Sequence, residues 1–534
     1  MNATGVQVVI VVASLGAAVA AGTRWLRVAQ RERYRAGSVV GFARRWWSIG
    51  PNRVLGVAAV LGLVAAAAKV TPAGLATAAA VGIGPFGLPV RGRSSALAWT
   101  RRLIATAACS ALVAGIVVGV SEALVPGWRV LAAAATLLAV AVPLLIEIGI
   151  RLTTPLRRRW ASRELRAAVV RLAAVRPRVV ALAGSYGRST TAGYSAHLLA
   201  ATPAATPAAA PAAAPAAAPG ATPVVTALGG GEGGLAAAVV AQVTPGTEVL
   251  LAAVGTGSPA QGGSWLGADV AVIAAVSADS PAEHWATAVE GARVVVLCVD
   301  DSRLEQVADS VAAAGTRLWR CATSDRPADI RILREPLRVV VHGQAVATVT
   351  EASVIAEDLA CAVAVALELG VAVADIAQRL ADLPPARHCR EVTRGSGGVT
   401  VVDDTQRANP TGAEAALRLL VRLAGGGPEG RPLGRRVVVT PGLVEAVLAP
   451  EGGGAAGGEN QRFAAAAARE GTDLVVIGHT NGPALVAGWR EVDPGSRARL
   501  VRVATRRHAD AWVARELGAG DVVLYENDLP DHFP

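Results

Sequence analysis

Two hydrophobic rhythms divide the chain near residue 150. Before it, apolar residues run together in five long segments, at about 5–22, 54–68, 72–90, 103–125 and 130–150. Runs of this length predict helices that cross a bilayer. The second is short for that task and depends on tilting, or on Lys69 reaching towards the interface. Read as soluble core, the same runs would make a buried helical bundle. After residue 150 the apolar runs shrink to strand length, at 179–183, 248–254, 269–276 and 292–299, with helical patterns at 283–290 and 302–314. Helices over 352–369 and 373–383 follow. Short β-branched runs alternating with amphipathic helices predict a mainly parallel sheet covered on both faces.

Charge orients the first region. Residues 24–53 carry eight arginines against one acid, Glu32. The loop at 91–102 holds Arg91, Arg93, Arg101 and Arg102, and Arg151 with Arg157, Arg158 and Arg159 follows the last segment, whereas the opposite loops hold Lys69 and Arg129. The positive-inside rule then places the N-terminus outside and everything after residue 150 in the cytoplasm, a multi-pass cell-membrane protein. Reading 54–90 as a re-entrant hairpin would keep that parity. The formal charge of +10 also raises nucleic acid as a partner, but the arginines cluster beside apolar spans, so a membrane surface is expected and nucleic acid is not. No basic region precedes the first segment as a signal peptide requires. The five cysteines are scattered without a C-x-x-C, which argues against zinc or a disulfide framework and fits a reducing cytosol. The Ala-Pro repeat at 202–222 reads as a linker.

Candidate chemistry gathers where the strand at 179–183 meets the helix after it. Gly184, Ser185, Gly187, Arg188, Ser189 and Thr190 form a short glycine turn between them. Glycines let several N–H groups converge, and a helix N-terminus adds partial positive charge, so the stretch reads as a phosphate cradle. Leu182 stands where the full G-x-x-x-x-G-K-[ST] pattern has its first glycine, and Arg188 stands in the lysine position. An ordinary strand–turn–helix connection is the alternative.

Ala183-Gly-Ser-Tyr-Gly-Arg-Ser-Thr-Thr191 resembles the phosphate loop of the Mur ligases, which join amino acids or peptides to peptidoglycan precursors using ATP. Further stretches are similar to the MurF type. They include 398–417 with Asp403, Asp404, Asn409 and Pro410, the turn at 437–445, Asn460, 473–478 and 521–531. The resemblance covers roughly residues 150–534. It implies a central ATP-binding domain at 151–390 built on a P-loop-type, mainly parallel sheet, and a Rossmann-like α/β C-terminal domain at 391–534. Both would follow an N-terminal α-helical transmembrane region at 1–150.

It also implies ATP and Mg²⁺, with nucleotide contacts from the glycine loop, Asn409 and Pro410. Asp403, Asp404 and His388 would be second-domain contacts, and Ser189 could offer a hydroxyl to the metal. Asp403 and Asp404 read equally well as a strand end and helix cap, and His388 as a linker histidine. The chain departs from the family at the positions that handle charge. Gln406 and Arg407 replace a Tyr-Asn pair, and Cys389 stands where the arginine of an H-R element belongs. Ala253 occupies the place of a glutamate, and the family's histidine position falls near Ser280, with His284 four residues on. The position of its carbamylated lysine falls at Val289 or Glu290, and no lysine follows Lys69. Three functions stay open: an active membrane-anchored MurF-like ligase, a degenerate one serving as scaffold or regulator near cell-wall synthesis, or a membrane protein of unrelated function in which the motifs are coincidental. Cell-wall precursors or cell-wall synthesis proteins are the partners either of the first two would have.

Overall fold

The computed structural model describes residues 3–67, 73–88, 97–200, 224–228, 234–254, 264–276, 282–334, 336–350, 354–384, 389–406, 410–425, 434–443, 454–492, 498–529 and 533. These fall into two compact units, residues 1–159 with 394–401 and 408–534, and residues 160–393 with 402–407.

The first unit opens with helices. α1 (Ala3–Arg31) carries the first apolar segment on into the arginine-rich stretch. α2 (Ser38–Trp47) lies wholly within that stretch. Its buried Val39, Phe42, Ala43 and Trp46 fall at helical spacing and put one apolar face on a strongly basic helix. A bend of 103° separates α2 from α3 (Gly50–Ala67). α4 (Ala73–Ile83) has 11 residues. It rises only about 16 Å, half the hydrocarbon thickness, so the expected span at 72–90 is met by a short helix.

α5 (Arg101–Leu124) matches the fourth segment, with Thr100 capping its N-terminus. The fifth segment is broken. α6 (Trp128–Val140) and α7 (Val142–Val175) meet at 73°, and Pro143 in the first turn of α7 has no N–H to offer the turn before it. α7 then runs on to residue 175, carrying the arginines that follow the fifth segment. Among the described residues, two helices, in α1 and α5, are long and apolar enough to cross a membrane, or up to four spans if each bent pair counts as one.

The second unit is built on β1 (Arg178–Ala183), α8 (Arg188–Leu199), β2 (Val224–Leu228), α9 (Gly234–Gln242), β3 (Val249–Ala253), β4 (Val270–Ile273), β5 (Val294–Cys298) and β6 (Arg317–Ala322), then β7 (Ile330–Arg334), β8 (Leu337–Val341) and β9 (Gln344–Thr348). The sheet order is β2-β3-β1-β4-β5-β6-β7-β8-β9, parallel as far as β7 and closed by an antiparallel hairpin edge.

Both faces are covered, and successive residues of β1 show it. Val180 and Leu182 pack with α8 and the helix Ala356–Glu368, whereas Val179 and Ala181 pack with Ala168 and Leu172 of α7 and Val239 of α9. Each such valine or leucine, once buried, contributes about 1.5–3 kcal/mol. Four thiols lie in this core, Cys389 among them. Cys298 and Cys321 are opposite one another on β5 and β6, and Cys361 sits on the helix above, all buried. A second sheet, of order β10-β11-β15-β12-β13-β14, runs from β10 (Glu391–Arg394) and β11 (Thr400–Asp404) through β12 (Arg436–Thr440), β13 (Asp473–Ile477) and β14 (Leu500–Val503) to β15 (Val522–Glu526). β12 pairs in parallel with both β13 and β15.

Candidate functional site

β1 lies between β3 and β4, and the chain leaves its carboxyl end into Gly184–Gly187 before α8 begins. In an open α/β sheet this is where ligands bind. Gly184 and Gly187 have φ of 114° and 79°, a region that penalises any Cβ. Space forbids one as well. A Cβ on Gly184 would lie 2.7 Å from the Ala275 carbonyl oxygen, and one on Gly187 would collide with the carboxylate of Asp358. Ser185 and Tyr186 donate their N–H groups to the Ala275 carbonyl at 3.0 and 3.5 Å, tying the loop to the end of β4. Gly187 caps α8 without a side chain, and the first N–H groups of α8 have no acceptor within the helix.

That backbone suits an anion, and this chain's own side chains answer it. Arg188, in the lysine position, donates from its guanidinium to the Val254 carbonyl at 2.7 Å, just past the end of the neighbouring strand β3. Asp358, fully buried in the first turn of the helix Ala356–Glu368, puts its carboxylate against Gly187. A negative group there is stabilised by the helix dipole as a phosphate would be. Ser189 is exposed and Thr190 half-buried.

Behind the loop a buried network ties α8 and Arg390 to the start of the helix Ala356–Glu368. Tyr194 of α8 accepts the Ile355 N–H at 3.4 Å. Burial, with the charge of Asp358 adding to it, pushes the Tyr194 phenol far above its ordinary range, against the Ile355 hydrogen bond and the charge of Arg390. Arg390 donates from its guanidinium to the Val354 carbonyl at 3.5 Å and from its backbone to Asp404 Oδ1 at 3.0 Å. Its φ of 56° is the left-handed value that the second bond fixes. Asp404 is fully buried in this duty. Asp403 closes its own turn, accepting from the Thr405 N–H at 3.1 Å and the Thr405 hydroxyl at 2.6 Å. Pro410 opens the helix Pro410–Ala424, where its missing N–H costs nothing. His388 and Asn409 lie outside the described residues, as do Gly255 and Ser280. His284 packs edge-on against Trp285, with ring centroids 4.9 Å apart, and Glu290 is exposed.

The fit to the implied ligands divides. A nucleotide phosphate suits the two positive-φ glycines and the N-terminus of α8. The charges suit it poorly, because a carboxylate already stands at that N-terminus and the Arg188 head is engaged elsewhere. For Mg²⁺ the described residues supply little: Ala253 ends β3 with a methyl group, and no three His, Cys, Asp or Glu converge among them. Sequence reasoning found the glycine loop and missed Asp358. Its only signal was an acid inside an otherwise apolar helix pattern.

No family model matches the chain. The sequence is 31% identical over 307 residues to the UDP-N-acetylmuramoyl-tripeptide–D-alanyl-D-alanine ligase of Mycobacterium tuberculosis, over 54% of this chain and 56% of that protein. The ligase of the same name from Mycobacterium leprae is 35% identical over 153 residues, or 25% of this chain and 29% of that protein. The chain thus matches about half the length, or less, of these curated relatives. Among solved structures, a MurF ligase from Thermotoga maritima in complex with ADP aligns with a TM-score of 0.51 at 17% identity, covering 69% of this chain and 80% of that one. MurF from Acinetobacter baumannii aligns with a TM-score of 0.51 at 16% identity, covering 70% and 77%. Fold and loop together define the class: the chain has the α/β fold of the Mur ligases and carries apolar N-terminal helices. Within that class its sequence is similar to MurF-type ligases over about half its length.

Proposed function

We propose that this chain is a membrane-anchored MurF-like protein in which ATP-dependent joining of a carboxylate to an amine is weakened or lost. It would act as a pseudo-ligase, a scaffold or regulator beside peptidoglycan precursor synthesis. Its partners would be the membrane and cell-wall precursors or cell-wall synthesis proteins, not nucleic acid. The carrying observation is the charge arrangement at α8, with Asp358 against Gly187 and the Arg188 guanidinium bonded to Val254. In the reaction that its relatives' names describe, a substrate carboxylate takes the terminal phosphoryl group of ATP, and an amine then displaces phosphate from the acyl phosphate. Both steps develop negative charge that cations must meet, and losing one donor costs about a hundredfold to a thousandfold. Here a buried carboxylate lies beside Gly187, the cap of α8, and opposes added negative charge nearby. The competing reading is a working ligase with an unorthodox metal site, and the exposed Ser189 hydroxyl favours it.

The test uses the full chain in detergent with ATP, Mg²⁺, a UDP-linked muramyl tripeptide and D-alanyl-D-alanine. Background phosphate release, with nucleotide affinity indifferent to Mg²⁺, is expected. Robust Mg²⁺-dependent release that Ser189→Ala abolishes would establish the working ligase instead.

A further inference from the structure

A cavity of about 530 Å³ lies among the N-terminal helices, bounded by residues of α1, α2, α3, α4 and α6. Its size is that of a small-molecule site. Along α3 it is lined by Arg53, Val57, Val60 and Leu61, spaced four, seven and eight residues from the arginine, so one helix face passes from charged to apolar. From α2 come Arg44 and Trp47, three apart on its own face. Both arginines therefore stand beside the α2–α3 corner, where the chain bends by 103°. The apolar part extends away from them along α3 for about 12 Å at helical rise. Among the described residues no carboxylate lines the cavity, and every lining residue apart from these two arginines is uncharged. Arg53 has no ion-pair partner among the described residues. The α3 side is open: Val57, Val60 and Leu61 are 53%, 54% and 63% exposed, an apolar rim that water does not favour.

A hydrocarbon-lined slot with two guanidinium groups at one end matches a molecule that has an apolar chain and an anionic head. We propose that the cavity binds an anionic glycerophospholipid. One acyl chain would lie along α3 past Val57, Val60 and Leu61, and the phosphate would be held by Arg44 and Arg53. Guanidinium forks hold phosphate oxygens in pairs, and basic pockets between membrane helices take anionic head groups. The proposal rests on the membrane anchoring proposed above only for where the lipid is met. A titration in detergent reads the pocket whatever the topology or the catalytic state.

The experiment is native mass spectrometry of the full chain in mild detergent, titrated with phosphatidylglycerol or phosphatidylcholine of the same acyl chains. Phosphatidylglycerol should be retained about tenfold or more in preference, the effect of two cationic contacts. The double variant Arg44→Gln/Arg53→Gln should bring the two lipids to within about twofold of each other while both still bind. Val60→Trp, at an exposed rim position that folding tolerates, should reduce adducts of both. Arg157→Gln/Arg159→Gln removes the same charge from an exposed part of α7 and should leave the preference intact. The proposal is overturned if the Arg44/Arg53 variant keeps the preference, or if the α7 control loses it equally. It is also overturned if Val60→Trp binds as the parent does, or if glycerophosphoglycerol without acyl chains displaces the lipid at equal concentration.

Discussion

Asp358 shows how one residue can turn a binding loop into a filled one. Its carboxylate is buried against Gly187 beside the α8 N-terminus, and the missing Cβ of Gly187 leaves it room. Asp358→Asn keeps the shape and removes the charge. Because a charge at a helix end is worth about 0.3–2 kcal/mol, ATP affinity measured by calorimetry should rise by roughly two- to thirtyfold. An unchanged affinity would mean the carboxylate does not compete. Arg188→Lys alone should not restore ligation, and Ala253→Glu added to it should raise Mg²⁺-dependent affinity before turnover. A second acid, Asp300, gives a pH signature. Burial opposes its charged form, but hydrogen bonds from Ser324 and Thr323 outweigh burial and hold its pKa below the ordinary carboxylate value. A depressed folded-state pKa adds stability above the unfolded value, near 4, and loses it as pH falls further. Asp300→Asn should therefore destabilise the protein to urea at pH 7, and the difference should shrink below about pH 4. At this scale the glycine loop was legible because its backbone demands are local. Asp358 was not, because its importance comes from a residue far away in sequence.

Among elements, the helix Ala356–Glu368 is the most constrained. Ten of its residues are buried, and most are Ala, Val or Cys, small enough to let it lie close to α8 and the sheet. Ala362→Leu should cost about 1–3 kcal/mol by forcing neighbours off their rotamers, read as a lower urea midpoint for the second unit. The parallel strands were legible in the sequence because buried strands are short unbroken apolar runs, as 248–254 and 292–299 are. α2 was not, because its arginines outweigh the apolar face that only a helical projection reveals. The break before α7 was readable in principle from Pro143, but the apolar run passes through it without interruption.

At the scale of the whole molecule, the arginine distribution makes topology testable. A reporter fused after Pro534 should behave as cytoplasmic. A periplasmic signal would separate the soluble units from cellular ATP and remove the basis for any nucleotide role. The buried thiols allow a different measurement on the same full chain. Burial pushes the Cys298 and Cys321 thiols upward, and hydrogen bonding with Cys321 together with burial does the same for Cys361. The thiolate is the reacting form, so a maleimide should find these three silent while the half-buried Cys109 of α5 reacts. The sheet must part between β5 and β6 before they label. The chain therefore contains its own stopwatch for opening of the nucleotide-type fold, and a ligand that truly seats on the glycine loop should slow it without any change to the protein.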